Sequence, residues 1–188
     1  MICGKSGSGK DYITNKLAKT LSAGVIIRPT TRPKRKSQGN EPYSFLEDAF
    51  FEELVSKERI FSPKTFNGWS YGFYNSIIDQ GKSEHIYIGS CDVDSAETLQ
   101  EIVWKNQGNI CFVYVHAPEK VRLKRYTKRD KSFDRQELER RFLSEKEQYE
   151  EKDFFLTRYA IFYENAGLTP LRFRKLVKKI KEKTKGDK

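Results

Sequence analysis

Gly4-Lys5-Ser6-Gly7-Ser8-Gly9-Lys10-Asp11 lies between a short apolar run, Met1 to Cys3, and a segment with apolar Ile13, Leu17, Ala18 and Leu21. The second spacing is that of one helix face, so the order reads as strand, glycine turn, helix. The turn fits the pattern GxxxxGK. Its glycines let backbone approach an anion without Cβ clashes, and its N–H groups, with the helix N-terminus, point at that anion. Lys10 reaches the outer phosphates of a polyphosphate as a point charge. An ordinary glycine-rich turn explains neither Lys10 nor the flanking elements. Gly4, Lys5, Ser6, Gly7, Ser8, Gly9, Lys10 and Asp11 are therefore expected to hold the phosphate chain of ATP. Asp11 replaces the Ser or Thr whose hydroxyl binds Mg²⁺ in this motif; a carboxylate is a hard oxygen donor suited to hold Mg²⁺ directly. The run before Gly4 is short for a strand, so either the strand is unusually brief or the chain starts upstream of Met1.

Outward from the turn, apolar runs at Ala23 to Ile27, His85 to Ile88, Ile110 to Val115 and Tyr159 to Tyr163 read as strands. Between them lie helical patterns: one opened by Asp94, with Ala96, Leu99 and Val103, and one started by Ala117-Pro118. Residues 122–152 are densely charged, with Leu138, Phe142 and Tyr149 spaced for one helix face. Thr169-Pro170 caps a last helix with the stripe Phe173, Leu176, Val177 and Ile180. This alternation predicts an α/β fold, a parallel β-sheet core flanked by helices on both faces. Ligands bind such sheets beyond the carboxyl ends of the strands, where the glycine turn lies. Residues 28–82 differ, being rich in Arg, Lys, Gly, Pro and aromatics, with one helical piece around Phe50, Phe51 and Leu54. They read as an insertion into a single domain with core 1–27, 83–121 and 153–188.

The 188 residues carry a net charge of +10, with 37% hydrophobic and 33% charged residues. The 13 Phe and 10 Tyr supply large side chains enough for a core, which excludes a disordered chain. No stretch reaches the length of a membrane span and no signal segment opens the chain, so a cytoplasmic protein is expected. Cys3, Cys91 and Cys111 are far apart and form neither a metal cluster nor a disulfide framework; buried thiols in strands are expected. The basic balance suits either polyphosphate ligands or nucleic acid.

Thr30-Thr31-Arg32-Pro33-Lys34-Arg35, Tyr43-Ser44-Phe45 and Asn67-Gly68-Trp69-Ser70-Tyr71-Gly72 resemble, in order and approximate spacing, the monophosphate-binding region of guanylate kinases. With the phosphate loop and the basic segment, the resemblance covers most of the chain. It implies a P-loop NTPase fold with a monophosphate-binding subdomain at 28–82 and a helical lid at 122–152. It implies transfer of the γ-phosphate of Mg·ATP to GMP or dGMP. Arg32 and Arg35 would clamp the acceptor phosphate and Tyr43 and Tyr71 would donate hydroxyls to it, a sensible shell for an oxyanion. Ser62 stands where the family carries a guanine-reading Glu, Phe73 where it carries a small hydroxyl residue, and Asp92 matches its second acidic residue. Asp92 has a second implied task, holding the Mg²⁺ water shell.

The segment from Arg122 to Arg141 holds nine basic residues, and the resemblance makes Arg125, Arg129 and Arg141 the phosphate contacts. Salt bridges on a helix surface are the plain alternative, since Glu137, Glu139, Glu145 and Glu147 lie nearby. The implied chemistry needs no protein nucleophile and no strong base, so His85 and His116 are read as structural. Other readings are a phage-type deoxynucleotide kinase, which shares a GKD loop, another base specificity, a sugar-phosphate kinase, or a non-catalytic guanylate-kinase-like module that binds proteins. No nucleic-acid-binding motif appears. Nucleotides are the expected partners of a monomer or homodimer.

Overall fold

The computed structural model describes residues 1–34, 41–66, 68–129, 135–167 and 169–184. The chain runs β1 (Ile2–Cys3), α1 (Lys10–Leu21), β2 (Gly24–Val25), β3 (Arg28–Thr30), β4 (Tyr43–Phe45), α2 (Asp48–Ser56), β5 (Ile60–Phe66), β6 (Trp69–Tyr74) and α3 (Ser76–Lys82). It continues through β7 (Tyr87–Ile88), α4 (Val93–Lys105), β8 (Phe112–His116), α5 (Glu119–Arg129), α6 (Arg135–Glu151), α7 (Asp153–Tyr159), β9 (Ala160–Glu164) and α8 (Pro170–Thr184).

β1, β8 and β9 form a parallel sheet with β8 central. β2 pairs in parallel with β7, and a parallel bridge between Ile2 and Ser90 joins that pair to β1. Alternation along each strand divides the side chains between two layers. Ile2, Val113, Val115, Ile161 and Tyr163 meet Ile13 and Leu17 of α1 and Phe173, Leu176 and Ile180 of α8. Met1, Cys3 and Phe112 face the other way, onto Val93, Ala96 and Leu99 of α4, Tyr149 of α6 and Phe155 and Leu156 of α7. The expected parallel sheet with a helical layer on each face is therefore what the chain builds.

A second, four-stranded sheet has the order β4-β3-β6-β5. β3 pairs in parallel with β4 and antiparallel with β6, and β5 and β6 form an antiparallel hairpin. Sequence patterning gave none of these four strands, while the expected helical piece around Phe50, Phe51 and Leu54 is α2. The run Ala23 to Ile27, expected as a buried strand, yields only β2, with Ile27 47% exposed. β2 is an edge strand with β7 as its partner, so one side of its backbone needs no cover. The charged segment forms α5 and α6. Tyr149 is buried, Phe142 lies under the Arg122 guanidinium at 4.2 Å, and Leu138 lies outside the described side chains.

Cys3 lies in β1, whereas Cys91 and Cys111 sit in loops beside strands, and all three are unpaired. Burial pushes the Cys3 thiol up to about 11, which removes it from thiolate chemistry at neutral pH. Among the described residues no helix is long and apolar enough to cross a membrane.

Candidate active site

The carboxyl ends of the parallel strands deliver four segments to one edge of the sheet. These are the phosphate loop after β1, residues 89–92 after β7, the entry to α5 after β8, and Asn165 after β9. The loop takes a shape that glycine permits. Gly7 and Gly9 hold φ of 76° and 92°. A Cβ at Gly7 would stand 2.9 Å from the Arg122 carbonyl oxygen, and one at Gly9 2.4 Å from Asn165 Nδ2.

The loop carbonyls are held from behind. Arg122 Nη1 donates to the Ser6 oxygen at 3.2 Å. Arg125 Nη1 donates to the oxygens of Gly7 and Ser8 at 3.1 and 2.9 Å, and its Nη2 donates to the Asn165 oxygen at 2.7 Å. Asn165 Nδ2 donates to the Ser8 oxygen at 2.8 Å. Lys10 Nζ donates to the Gly4 oxygen at 2.5 Å and the Lys5 oxygen at 3.4 Å. Asp11 stands exposed in the first turn of α1. Burial, then the Arg122 guanidinium, push the Lys5 ammonium below its ordinary value, and Lys5 Nζ lies 5.4 Å from the Tyr149 ring centre.

The second sheet assembles another basic cluster. β3 places Thr30 between Phe45 of β4 and Tyr71 of β6. Arg32, just past β3, is buried and has Tyr43 and Phe45 rings 5.6 and 5.5 Å from its guanidinium carbon. Tyr43 and Tyr71 meet edge to face at 6.3 Å. The structure thus brings together Arg32, Tyr43 and Tyr71. Arg35 lies outside the described residues, as do the side chains of Arg129 and Arg141. Arg32 Nη1 donates to the Pro33 oxygen at 2.9 Å, and Nη2 pairs with Glu41 Oε2.

Asp92 joins a third group. It caps α4, accepting from Ser95 N at 2.9 Å and from Ser95 Oγ. Lys64 Nζ is 3.3 Å from Oδ1 and Arg28 Nη2 is 3.9 Å from Oδ2. Burial pushes the Asp92 carboxyl up, but Arg28, Lys64 and the Ser95 hydrogen bonds outweigh it and hold the group below the usual carboxylate range. Arg28 stacks on Phe73 at 4.1 Å and donates to the oxygens of Gly72 and Ser90 at 3.3 and 3.0 Å. Ser62 sits at a bulge in β5, in left-handed backbone with φ of 49°, followed by Pro63.

Sequence reasoning missed Arg28, Glu41, Lys64 and Asn165 as members of these groups, and it named Arg122 and Glu145 only as a basic residue and a nearby acid of the charged segment. Only Asn165 carried a positional signal, since it directly follows a strand of the parallel sheet. His85 packs beside Tyr87 and His116 against Phe162, away from these contacts.

A parallel sheet whose first strand runs through a glycine loop into a helix, with the lysine at the loop's end, defines the P-loop α/β class. A guanylate kinase family model matches residues 1–161, and the chain belongs to that family. The crystal structure of guanylate kinase from Anaplasma phagocytophilum matches with a TM-score of 0.61 at 15% identity, covering 98% of this chain and 84% of that one. At that identity the likeness shows the fold. No curated protein sequence matches significantly.

Gly9→Ala is expected to lower both thermal stability and Mg·ATP affinity, because the new methyl group meets Asn165 Nδ2 in a left-handed backbone. Gly167→Ala, with nothing near its Cβ, should leave both unchanged. Thermal melts and calorimetric titration check the pair. Asp92→Asn should destabilise the protein at neutral pH. Because the folded carboxyl titrates below its unfolded value, the wild-type advantage exists above the ordinary carboxylate range and is lost as pH falls through the folded value. Urea unfolding of both proteins between neutral pH and pH of about 3 reads this.

Proposed function

We propose that the chain is a nucleoside monophosphate kinase that transfers the γ-phosphate of Mg·ATP to a nucleoside monophosphate, with GMP or dGMP the acceptor that family membership points to. The observation carrying this is a pair of oxyanion sites of different build. One is the glycine loop with Lys10 Nζ resting on backbone carbonyls, which a phosphate chain can replace. The other is buried Arg32 beside Tyr43 and Tyr71, suited to a single phosphate, with Arg35 assigned to the same clamp.

The acceptor phosphate is largely dianionic at neutral pH, so its oxygen attacks the γ-phosphorus in line without a strong base or a protein nucleophile. Positioning and charge neutralisation supply the catalysis. Lys10 meets the donor phosphates, and Arg129 and Arg141 are assigned to the transferring group. The contacts of Arg125 with the loop carbonyls support a loop-shaping role beside any direct contact. Lid closure would exclude water.

Among the described residues no group of three or more His, Cys, Asp or Glu forms a metal cage. Mg²⁺ ordinarily takes one or two carboxylates together with substrate phosphates and waters. Exposed Asp11, which makes no ion pair among the described residues, fits that requirement; Asp92, already held by Lys64, Arg28 and Ser95, fits it less well. Mg²⁺ there would neutralise donor charge. The unpaired cysteines suit a cytoplasmic enzyme, working as a monomer or homodimer on free nucleotides.

A second reading, a base other than guanine, has its own support. Ser62 and Phe73 occupy positions where the resemblance expects a carboxylate and a hydroxyl. The remaining carboxylate, Asp92, faces the cations of Arg28 and Lys64. Guanine offers two adjacent donors that call for an uncommitted acceptor.

A coupled ADP-release assay across GMP, dGMP, AMP, CMP, UMP and dTMP tests class and base together. Turnover with at least one is expected, and ADP release with none of them overturns the proposal. Arg32→Ala should mainly raise the KM of the acceptor. Lys10→Ala, Arg129→Ala and Arg141→Ala should each lower kcat by roughly two orders of magnitude or more.

A further inference from the structure

The Lys5–Ser6 peptide of the phosphate loop is held by a side chain from far along the chain. Ser6 N donates to Glu145 Oε1 of α6 at 2.7 Å. The other Glu145 oxygen takes Arg122 Nη1 at 3.2 Å, and the same Nη1 donates to the Ser6 oxygen. Arg122 and Glu145 are 4% and 8% exposed, so the pair is closed off from solvent. Arg122 also stacks on Phe142.

Stability alone does not favour such a pair over an apolar one. Removing two charges from water costs about what their attraction returns, and an apolar pair of similar volume would serve as well or better. What an apolar pair cannot do is bond both polar groups of the Ser6 backbone. A trans peptide points its N–H and C=O in opposite directions. With the Ser6 N–H turned to Glu145, the Lys5 carbonyl must face the other way. It does, accepting from Ser8 N at 3.1 Å and from Lys10 Nζ at 3.4 Å.

We propose that Glu145, braced by Arg122, is a positioning residue that fixes the Lys5–Ser6 peptide and thereby presets the phosphate loop and the Lys10 ammonium for the donor triphosphate. The effect passes from the α6 carboxylate to the Ser6 N–H, through the planar peptide to the Lys5 oxygen, and so to Lys10. It also ties α6 to the donor loop, so the helix that follows the basic segment reports directly on loop geometry. The inference rests on the donor site proposed above.

Two substitutions separate reach from charge. Glu145→Gln keeps the length and an oxygen acceptor for Ser6 N–H but drops the charge. Glu145→Asp keeps the charge facing Arg122 but withdraws the acceptor by one methylene. Mg·ATP affinity, read by calorimetric titration with melts run alongside, should fall at least tenfold in Glu145→Asp. It should stay within about threefold of wild type in Glu145→Gln. Acceptor KM should move in neither. Amide hydrogen exchange at Ser6 in the unliganded wild-type protein should be slow, and this holds the test if Glu145→Gln does not fold. The reverse order of the two variants, unchanged affinity in Glu145→Asp, or fast exchange at Ser6 overturns the positioning role. Wild-type protein that binds Mg·ATP yet phosphorylates no nucleotide would end the proposed function alone. Wild-type protein that fails to bind Mg·ATP overturns both.

Discussion

The oxygens of Ser6, Gly7 and Ser8 are drawn to Arg122, Arg125 and Asn165, and planar trans peptides then turn the following N–H groups to the opposite side. Hydrogen bonds from a charged donor contribute about 1.5–3 kcal/mol each, and Gly7 and Gly9 take their left-handed backbone without a steric cost. The parallel sheet makes this possible. β8 hands over to α5, which brings Arg122 and Arg125 behind the loop. β9 hands over to Asn165, whose N–H is anchored on the His116 oxygen at 2.7 Å. The shape of the loop is thus a property of the sheet's carboxyl edge as much as of the glycine-rich segment.

Charge at rest follows a consistent rule. Buried Arg28, Arg32 and Arg122 each face a carboxylate, in Asp92, Glu41 and Glu145. A desolvated guanidinium without such a partner would be costly, so these pairs are what allow the arginines to be buried in the absence of ligand. Lys10 is different, because neutral carbonyls are its partners. A phosphate displaces a carbonyl from an ammonium readily, since the charge-assisted bond is the stronger. On the proposed reading, a phosphate reaching Arg32 would meet its ion pair with Glu41 instead. Its advantage would then have to come from taking further donors at that site.

The parallel sheet, its helical layers and the glycine loop were legible because each rests on local signals. Apolar runs, helical spacing and a fixed pattern of glycines with Lys10 all lie within short windows. The ends of the strands were less legible: Ala23 to Ile27 looks buried, yet Ile27 is half exposed where the chain leaves an edge strand. In the inserted sheet, β5 and β6 are long but carry a bulge with Pro63 and alternate irregularly, so no period of two emerges. Of the candidate site, the glycine loop with Lys10 and the group of Arg32, Tyr43 and Tyr71 were legible as residue types. Its supporting partners were not. Glu145 reads as one more acid on a charged helix, and only the folded chain shows it bonded to Ser6. Arg28 reads as a surface charge until its guanidinium is seen on Phe73.

Arg28 also bears on how the two sheets can move. It leaves β3, stacks on Phe73 of β6 and donates to the Ser90 oxygen beyond β7, so one buried side chain pins the inserted sheet to the parallel one. Losing that bond while the guanidinium stays buried would leave a charged donor unsatisfied, a cost of about 1–3 kcal/mol or more. Sliding between the sheets at this point is therefore expensive.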